Sequence, residues 1–181
     1  MARIRKFVCY RTVERPFTRK SKYSKKNFVK VVPASKIQRF QVGDASKIFK
    51  YSCLIKSKSN IQIRHNALES ARLTANKVLE KEVGKDNYFI KMRVFPHHIL
   101  RENPLASGAG ADRMSTGMAH SYGKNISSAA QLKAGQPIFE VSVDDLGLKT
   151  AKKAAQRMIY KFPCKCTVEI FNKETKKQVF V

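Results

Sequence analysis

Residues 66–96 read NALESARLTANKVLEKEVGKDNYFIKMRVFP, and a change of period inside this stretch decides the fold. Leu68, Ala71, Ala75, Val78 and Leu79 recur on one face of a 3.6-residue helix. Asn66, with Glu69 three positions on, reads as a capping box, and Gly84 as the C-terminal stop. After Lys85-Asp86-Asn87 the period drops to two. Ile90, Met92 and Val94 then face inward and Lys91 and Arg93 outward along a strand over 88–95, which Pro96 ends. A one-sided helix joined to a one-sided strand predicts an α+β domain.

Working outward, Val29–Val32 and Ile37–Val42 read as short strands punctuated by Pro33 and Gly43-Asp44. Tyr51–Ile55 and Ile61–Ile63 are strand-like as well. Downstream, Pro137–Val143 is a strand. A second helix spans Leu148–Lys161, with Leu148, Ala151, Ala154, Ala155, Met158 and Ile159 on its apolar side, and Pro163 closes it. Cys166–Phe171 and Gln178–Val181 are the closing strands. No internal repeat occurs. The organisation expected is a basic extension over 1–35 and a single α+β domain over 36–181, from which a loop at 105–125 projects.

The charge is extreme: 37 Lys and Arg against 13 Asp and Glu, a net +24 in 181 residues. Self-repulsion of this size weakens the compact state unless a polyanion neutralises it, and nucleic acid is the natural candidate. Residues 1–30 alone carry eleven basic groups against Glu14, whereas residues 106–145 carry three against four acids. In the first segment Arg3, Arg5, Lys6, Arg11, Arg15, Arg19, Lys20, Lys22, Lys25 and Lys26 are interleaved with Phe7, Tyr10, Phe17, Tyr23 and Phe28. Cations neutralise phosphates and rings stack on bases or sugars, so these ten residues are the candidate RNA contacts. A purely solubilising tail has no use for the rings.

The loop reads LASGAGADRMSTGMAHSYGKN over 105–125 and fits neither helical nor strand periodicity. Its Gly, Ala and Ser residues let backbone lie against a crowded polyanion, while Arg113 and Lys124 can anchor phosphates. Nucleotide-enzyme motifs fail here. Gly108-Ala109-Gly110 begins a dinucleotide fingerprint, but Arg113 stands where the third glycine belongs. Gly117 to Lys124 has one residue too many for a P-loop, and Asn125 stands where Ser or Thr should hold magnesium.

Adjacent His97 and His98 point to opposite faces of a strand, and His65 and His120 lack carboxylate partners at motif spacing. Cys9, Cys53, Cys164 and Cys166 form no paired knuckles and read as small buried side chains rather than zinc ligands. No nucleophile–base constellation emerges, so the expectation is no enzyme, no cofactor and no metal. No run approaches the roughly twenty apolar residues of a membrane span, and Met1–Phe17 lacks the apolar segment of a signal peptide. The reading is an intracellular protein, no membrane partner and no homo-oligomer.

Several stretches together resemble a known family. They are Leu68–Lys77, Gly84-Lys85-Asp86, Phe95–Arg101 and above all Gly108-Ala-Gly-Ala-Asp-Arg-Met-Ser-Thr-Gly-Met118, closed by Gly123-Lys124. In this order they resemble the L-ten-e ribosomal proteins, the archaeal and eukaryotic branch of the universal L-sixteen group of the large subunit. The resemblance implies a mixed-sheet, hammerhead-type α+β core with two main helices, seated in large-subunit ribosomal RNA beside neighbouring ribosomal proteins in the cytoplasm. It implies that the internal loop points toward the peptidyl-transferase centre and the tRNA sites. The positions carried over are Ser107, Gly108, Gly110, Asp112, Arg113, Met114, Gly117, Met118, His120 and Lys124, with Arg113 as the leading phosphate contact. Ser115, Thr116 and Met118 depart from the Lys- and Gly-rich loop of the bacterial branch. The longer C-terminal tail expected of eukaryotic members is missing, which points to an archaeal-type ribosome. The alternative is an RNA-modifying or ribosome-assembly factor that binds ribosomal RNA transiently.

Overall fold

The computed structural model describes residues 4–103, 108, 110, 123–173 and 175. The order of elements is β1 (Gln41–Gly43), β2 (Tyr51–Ser57), β3 (Ile61–Arg64), α1 (His65–Glu82), β4 (Tyr88–Met92), β5 (His98–Glu102), β6 (Lys124–Leu132), β7 (Pro137–Val143), α2 (Leu148–Ile159) and β8 (Cys166–Asn172). The α+β class holds. The sheets, however, are not mixed: every described ladder is antiparallel, in a five-stranded sheet β1-β4-β7-β2-β8 and a three-stranded sheet β3-β6-β5.

The large sheet has a simple logic. β7 and β8 both run antiparallel to β2, which lies between them, and α2 is the crossover joining them. Likewise β7 separates β2 from β4, and α1 lies on the connection between those two. These are two interleaved split βαβ units, and parallel strands never become neighbours because each crossover spans an intervening strand. The right-handed crossover rule places both helices on the same face. That face carries Cys53, Ile55, Tyr88, Ile90, Met92, Phe139, Val141, Val143 and Ile170. Against it lie Leu68, Ala71, Ala75 and Leu79 of α1 and Ala151, Ala154, Ala155 and Met158 of α2. Each fully buried Leu or Ile contributes about 1.5–3 kcal/mol, and the alanine stripes let the helices approach closely. The opposite face mixes Leu54, Phe89 and Phe171 with ion pairs: Glu140 accepts from Ser52 Oγ at 2.9 Å and pairs with Arg93 at 3.2 Å, and Lys56 meets Glu169 at 2.7 Å.

The small sheet is an insertion. β3 enters between β2 and α1, and the β5–β6 hairpin between β4 and β7. One of its faces, with Ile61, Ile63, Ala130 and Leu132, joins the main core.

Several sequence expectations need correction. Asn66 does not cap α1: β3 runs directly into the helix, the N-cap position is Arg64, and Asn66 falls inside the first turn with its Oδ1 buried and unpartnered. Glu69 forms no capping box and instead grips Arg72 by two hydrogen bonds, at 2.9 and 2.5 Å, with both side chains buried. Val29–Val32 is no strand. Its backbone is held by side chains and turns, as where Asn125 Nδ2 donates to the Val31 carbonyl at 2.7 Å. The strand expected over Ile37–Val42 shortens to Gln41–Gly43, and that over 88–95 stops at Met92. The expected strand Gln178–Val181 lies outside the described residues.

Candidate nucleic-acid interface

The cationic N-terminal stretch lies along the outer face of the small sheet. Alternation puts Gln62 and Arg64 of β3, Ala129 and Gln131 of β6, and His98 and Leu100 of β5 on that face. Residues 7–10 make one 3-10 turn, which drops Tyr10 onto Leu100 and Ala129. The rest of the segment lacks regular structure up to β1 apart from a second short turn at Ser24–Lys26, so other groups must satisfy its backbone. The sheet's polar side chains do so. Gln62 Nε2 donates to the carbonyls of Tyr10 and Thr12, at 2.5 and 3.2 Å. Gln131 Nε2 donates to the Glu14 carbonyl at 2.9 Å. The Phe17 N–H donates to His98 Nδ1 at 2.9 Å, and the Ile99 N–H donates back to the Phe17 carbonyl at 3.1 Å. Further on, the Lys36 N–H donates to His65 Nδ1 at 3.2 Å. Because β5 is an edge strand of the small sheet, the same segment also covers that edge.

Two histidines therefore act as neutral acceptors. Burial holds the His98 imidazole below its ordinary range, Glu14 pushes the other way and Arg101 adds to the lowering. Burial likewise lowers His65, helped by Lys36 and Arg64. His97, by contrast, is exposed, with its ring tilted against that of Phe95 at 4.6 Å, so the two neighbours do point apart.

Interleaving of cations and rings becomes contact. The Arg101 guanidinium lies 3.9 Å from the Phe17 centroid, Arg19 lies 5.0 Å from that of Phe28, and Lys22 and Lys26 lie 5.2 and 6.0 Å from that of Tyr23. Of the ten predicted RNA cations, Arg5, Lys6, Arg11, Arg15, Arg19, Lys20, Lys22, Lys25 and Lys26 are exposed. Arg5 also has a partner within the protein while its side chain stays exposed: its Nε meets Glu102 Oε1 at 2.5 Å, a hydrogen bond that raises the already high Arg5 pKa. Arg3 lies outside the described residues.

The expected loop positions divide. Ser107, Asp112, Arg113, Met114, Gly117, Met118 and His120 lie outside the described residues. Gly108 and Gly110 adopt φ of +126° and +84°, values that favour glycine. Lys124 is exposed as the first residue of β6, paired with Glu102 across the last rung of the β5–β6 stem. Gly123 precedes it with φ +139°, and a Cβ there would fall 2.8 Å from the Glu102 carbonyl carbon. Only glycine closes the stem this tightly.

Beside the stem is a groove of about 530 Å³, lined by Phe17, Phe28, Lys30, Val31, Arg101, Gly123, Lys124 and Asn125. A neighbouring hollow of about 310 Å³ shares Phe17, Phe28 and Arg101 and adds Arg15, Pro16, Thr18 and Arg19. The sequence reading counted Lys30 among the cations of the basic segment but missed Arg101 as a site residue. The available signal for Arg101 was its position just before the small-residue loop. Among the described residues no three His, Cys, Asp or Glu side chains are grouped to hold a metal, and no helix is long and apolar enough to cross a membrane.

Comparison with known proteins agrees with this picture. The family model described as ribosomal protein L16p/L10e matches residues 18–169. The large ribosomal subunit protein uL16 of Methanococcus maripaludis is 43% identical over 162 residues, covering 90% of this chain and 91% of its own length. That of Methanococcus aeolicus is 40% identical over the same shares, and that of Methanoculleus marisnigri 42% identical over 80% of this chain and 85% of its own. With the family model spanning most of the chain and these archaeal relatives aligned nearly end to end, the chain belongs to the L16p/L10e family of ribosomal proteins.

Proposed function

We propose that this protein is a structural constituent of the large ribosomal subunit in an archaeal-type ribosome. It binds large-subunit ribosomal RNA through the cationic segment sutured to the small sheet, and it helps shape the tRNA-binding region with the connection between Glu102 and Lys124. The carrying observation is that exposed cations of residues 4–40 are presented on a backbone pinned by Gln62, Gln131, His98 and His65, not on a free tail. Pinned cations meet a phosphate lattice with less ordering cost on binding. RNA does the chemistry of translation; the protein neutralises, positions and fills. The names of the archaeal relatives support the address in the subunit, and the net charge of +24 supports a polyanionic partner.

The test is sedimentation of the tagged protein from its own cells through a sucrose gradient after a high-salt wash. Comigration with the large subunit is expected. Recovery only in light fractions would overturn the reading in favour of a transient RNA-binding factor.

A further inference from the structure

Resting on the reading that RNA is the partner, we propose that the groove between the N-terminal segment and the β5–β6 stem receives one unstacked nucleotide of that RNA. The shape comes first. The two hollows, about 530 and 310 Å³, share Phe17, Phe28 and Arg101, so they form one open surface slot with room for a base. A duplex meets proteins mainly through its phosphates and groove edges, and a paired base has no face to offer such a slot. A bulged or looped-out base has both faces available, and aromatic rings and guanidinium planes are the groups that take it.

The chemistry fits the same occupant. Phe28 is 57% exposed, a large apolar ring kept at the surface of a protein with a substantial core. Phe17 already carries the Arg101 guanidinium at 3.9 Å, and Phe28 has Arg19 at 5.0 Å, so rings and cations alternate along the wall. Exposed Lys30 and Lys124 contribute two more cations, one from each side of the slot, for the flanking phosphates. An acidic peptide would use the cations but leave the rings idle. Flat apolar walls edged by cations match a base with its phosphates.

The walls of the slot are also tied together. Its floor is tied by the Asn125–Val31 hydrogen bond at 2.7 Å and by the Phe17 bonds to His98 and Ile99. Its far end is closed by Gly123 against Glu102. A preformed slot loses little freedom on filling.

The experiment uses the full-length protein and two labelled RNA hairpins, identical except that one carries a single bulged adenosine. Fluorescence anisotropy at about 0.15 M salt measures both affinities. The bulged hairpin is expected to bind about tenfold tighter, the scale of one base stacked on an aromatic ring. Phe28→Ala should bring the two affinities within about twofold, and Phe28→Trp should restore the difference. Because Phe28 is exposed, neither change removes core packing. Equal wild-type affinities that both fall steeply with salt would overturn the slot while leaving RNA binding standing. Failure of both hairpins to bind would overturn both readings. Saturable binding of adenosine monophosphate alone at micromolar concentration would overturn the proposal in favour of a free nucleotide.

Discussion

Cys164 and Cys166 show how much one residue's role depends on its neighbours. As sequence they read as small buried side chains, but both are only half-buried, with their sulfurs 3.6 Å apart. A hydrogen bond from Cys166 draws the Cys164 thiol down to about 7 against the effect of burial, and Ser57 Oγ, 3.8 Å away, assists. The same bond pushes Cys166 up. Cys9, against the expectation of burial, is exposed. Thiolate is the reactive form, so iodoacetamide at neutral pH should label Cys164 ahead of Cys166 and Cys53. Cys166→Ala removes the donor and should slow that labelling about tenfold, less than the change in thiolate fraction because a more basic thiolate is a better nucleophile. Cys53, pushed up to about 12 by burial, should stay unlabelled until the protein unfolds. Peptide mass spectrometry over time reads all three, and equal rates for Cys164 in the two proteins would refute the assignment. Asn66 teaches a similar lesson. Its type and spacing suit a cap, but β3 enters the helix without the turn a cap needs.

Among the elements, the small sheet was the hardest to read, for a physical reason. β3, the middle of β6 and the start of β5 are buried on both faces, against the core and under the N-terminal segment. Half-buried strands alternate; these do not, and Ser127, Ser128, Ala129 and Ala130 look like neither core nor surface. Its polar residues are acceptors and donors for a covering chain. His98 is the clearest case, and its protonation should loosen that cover. The folded His98 pKa lies below the unfolded value of about 6.5, so the native state binds fewer protons in that window. Its contribution is therefore present above pH about 6.5 and is lost as pH falls toward the folded value. Hydrogen exchange, corrected for intrinsic rates, should show the Phe17 amide protected at neutral pH and less protected near pH 5, with the Lys36 amide on His65 following it. His98→Ala should cost roughly 1–3 kcal/mol at neutral pH, by leaving the Phe17 N–H without its acceptor, and should weaken the pH dependence. Unchanged Phe17 protection across this range would show that the segment is held by other means.

For the whole molecule, charge governs behaviour away from RNA. Ion pairs such as Lys50–Asp145 and Lys47–Asp144 are partly exposed and contribute little, whereas +24 of net charge repels throughout the fold. Added sodium chloride should therefore raise the unfolding midpoint of the free protein by a few degrees between about 0.02 and 0.2 M, where screening shortens from beyond 20 Å to under 10 Å. Calorimetry checks this, and a falling midpoint would mean that attractive pairs outweigh the repulsion. The sequence by itself determined the two helices, the large-sheet strands β2, β4, β7 and β8, the cationic perimeter and the family, because local period, composition and ordered motifs carry them. It also located the small-residue connection between Glu102 and Lys124. Only the tertiary structure decided that the basic segment is pinned to a second sheet, that Arg5 pairs with Glu102, and that Phe17, Phe28 and Arg101 meet in one slot. Those outcomes rest on pairs such as Phe17 with His98, 81 positions apart, and Asn125 with Val31, 94 apart. Their side chains have no local period to betray them, and folding alone brings them within hydrogen-bonding reach.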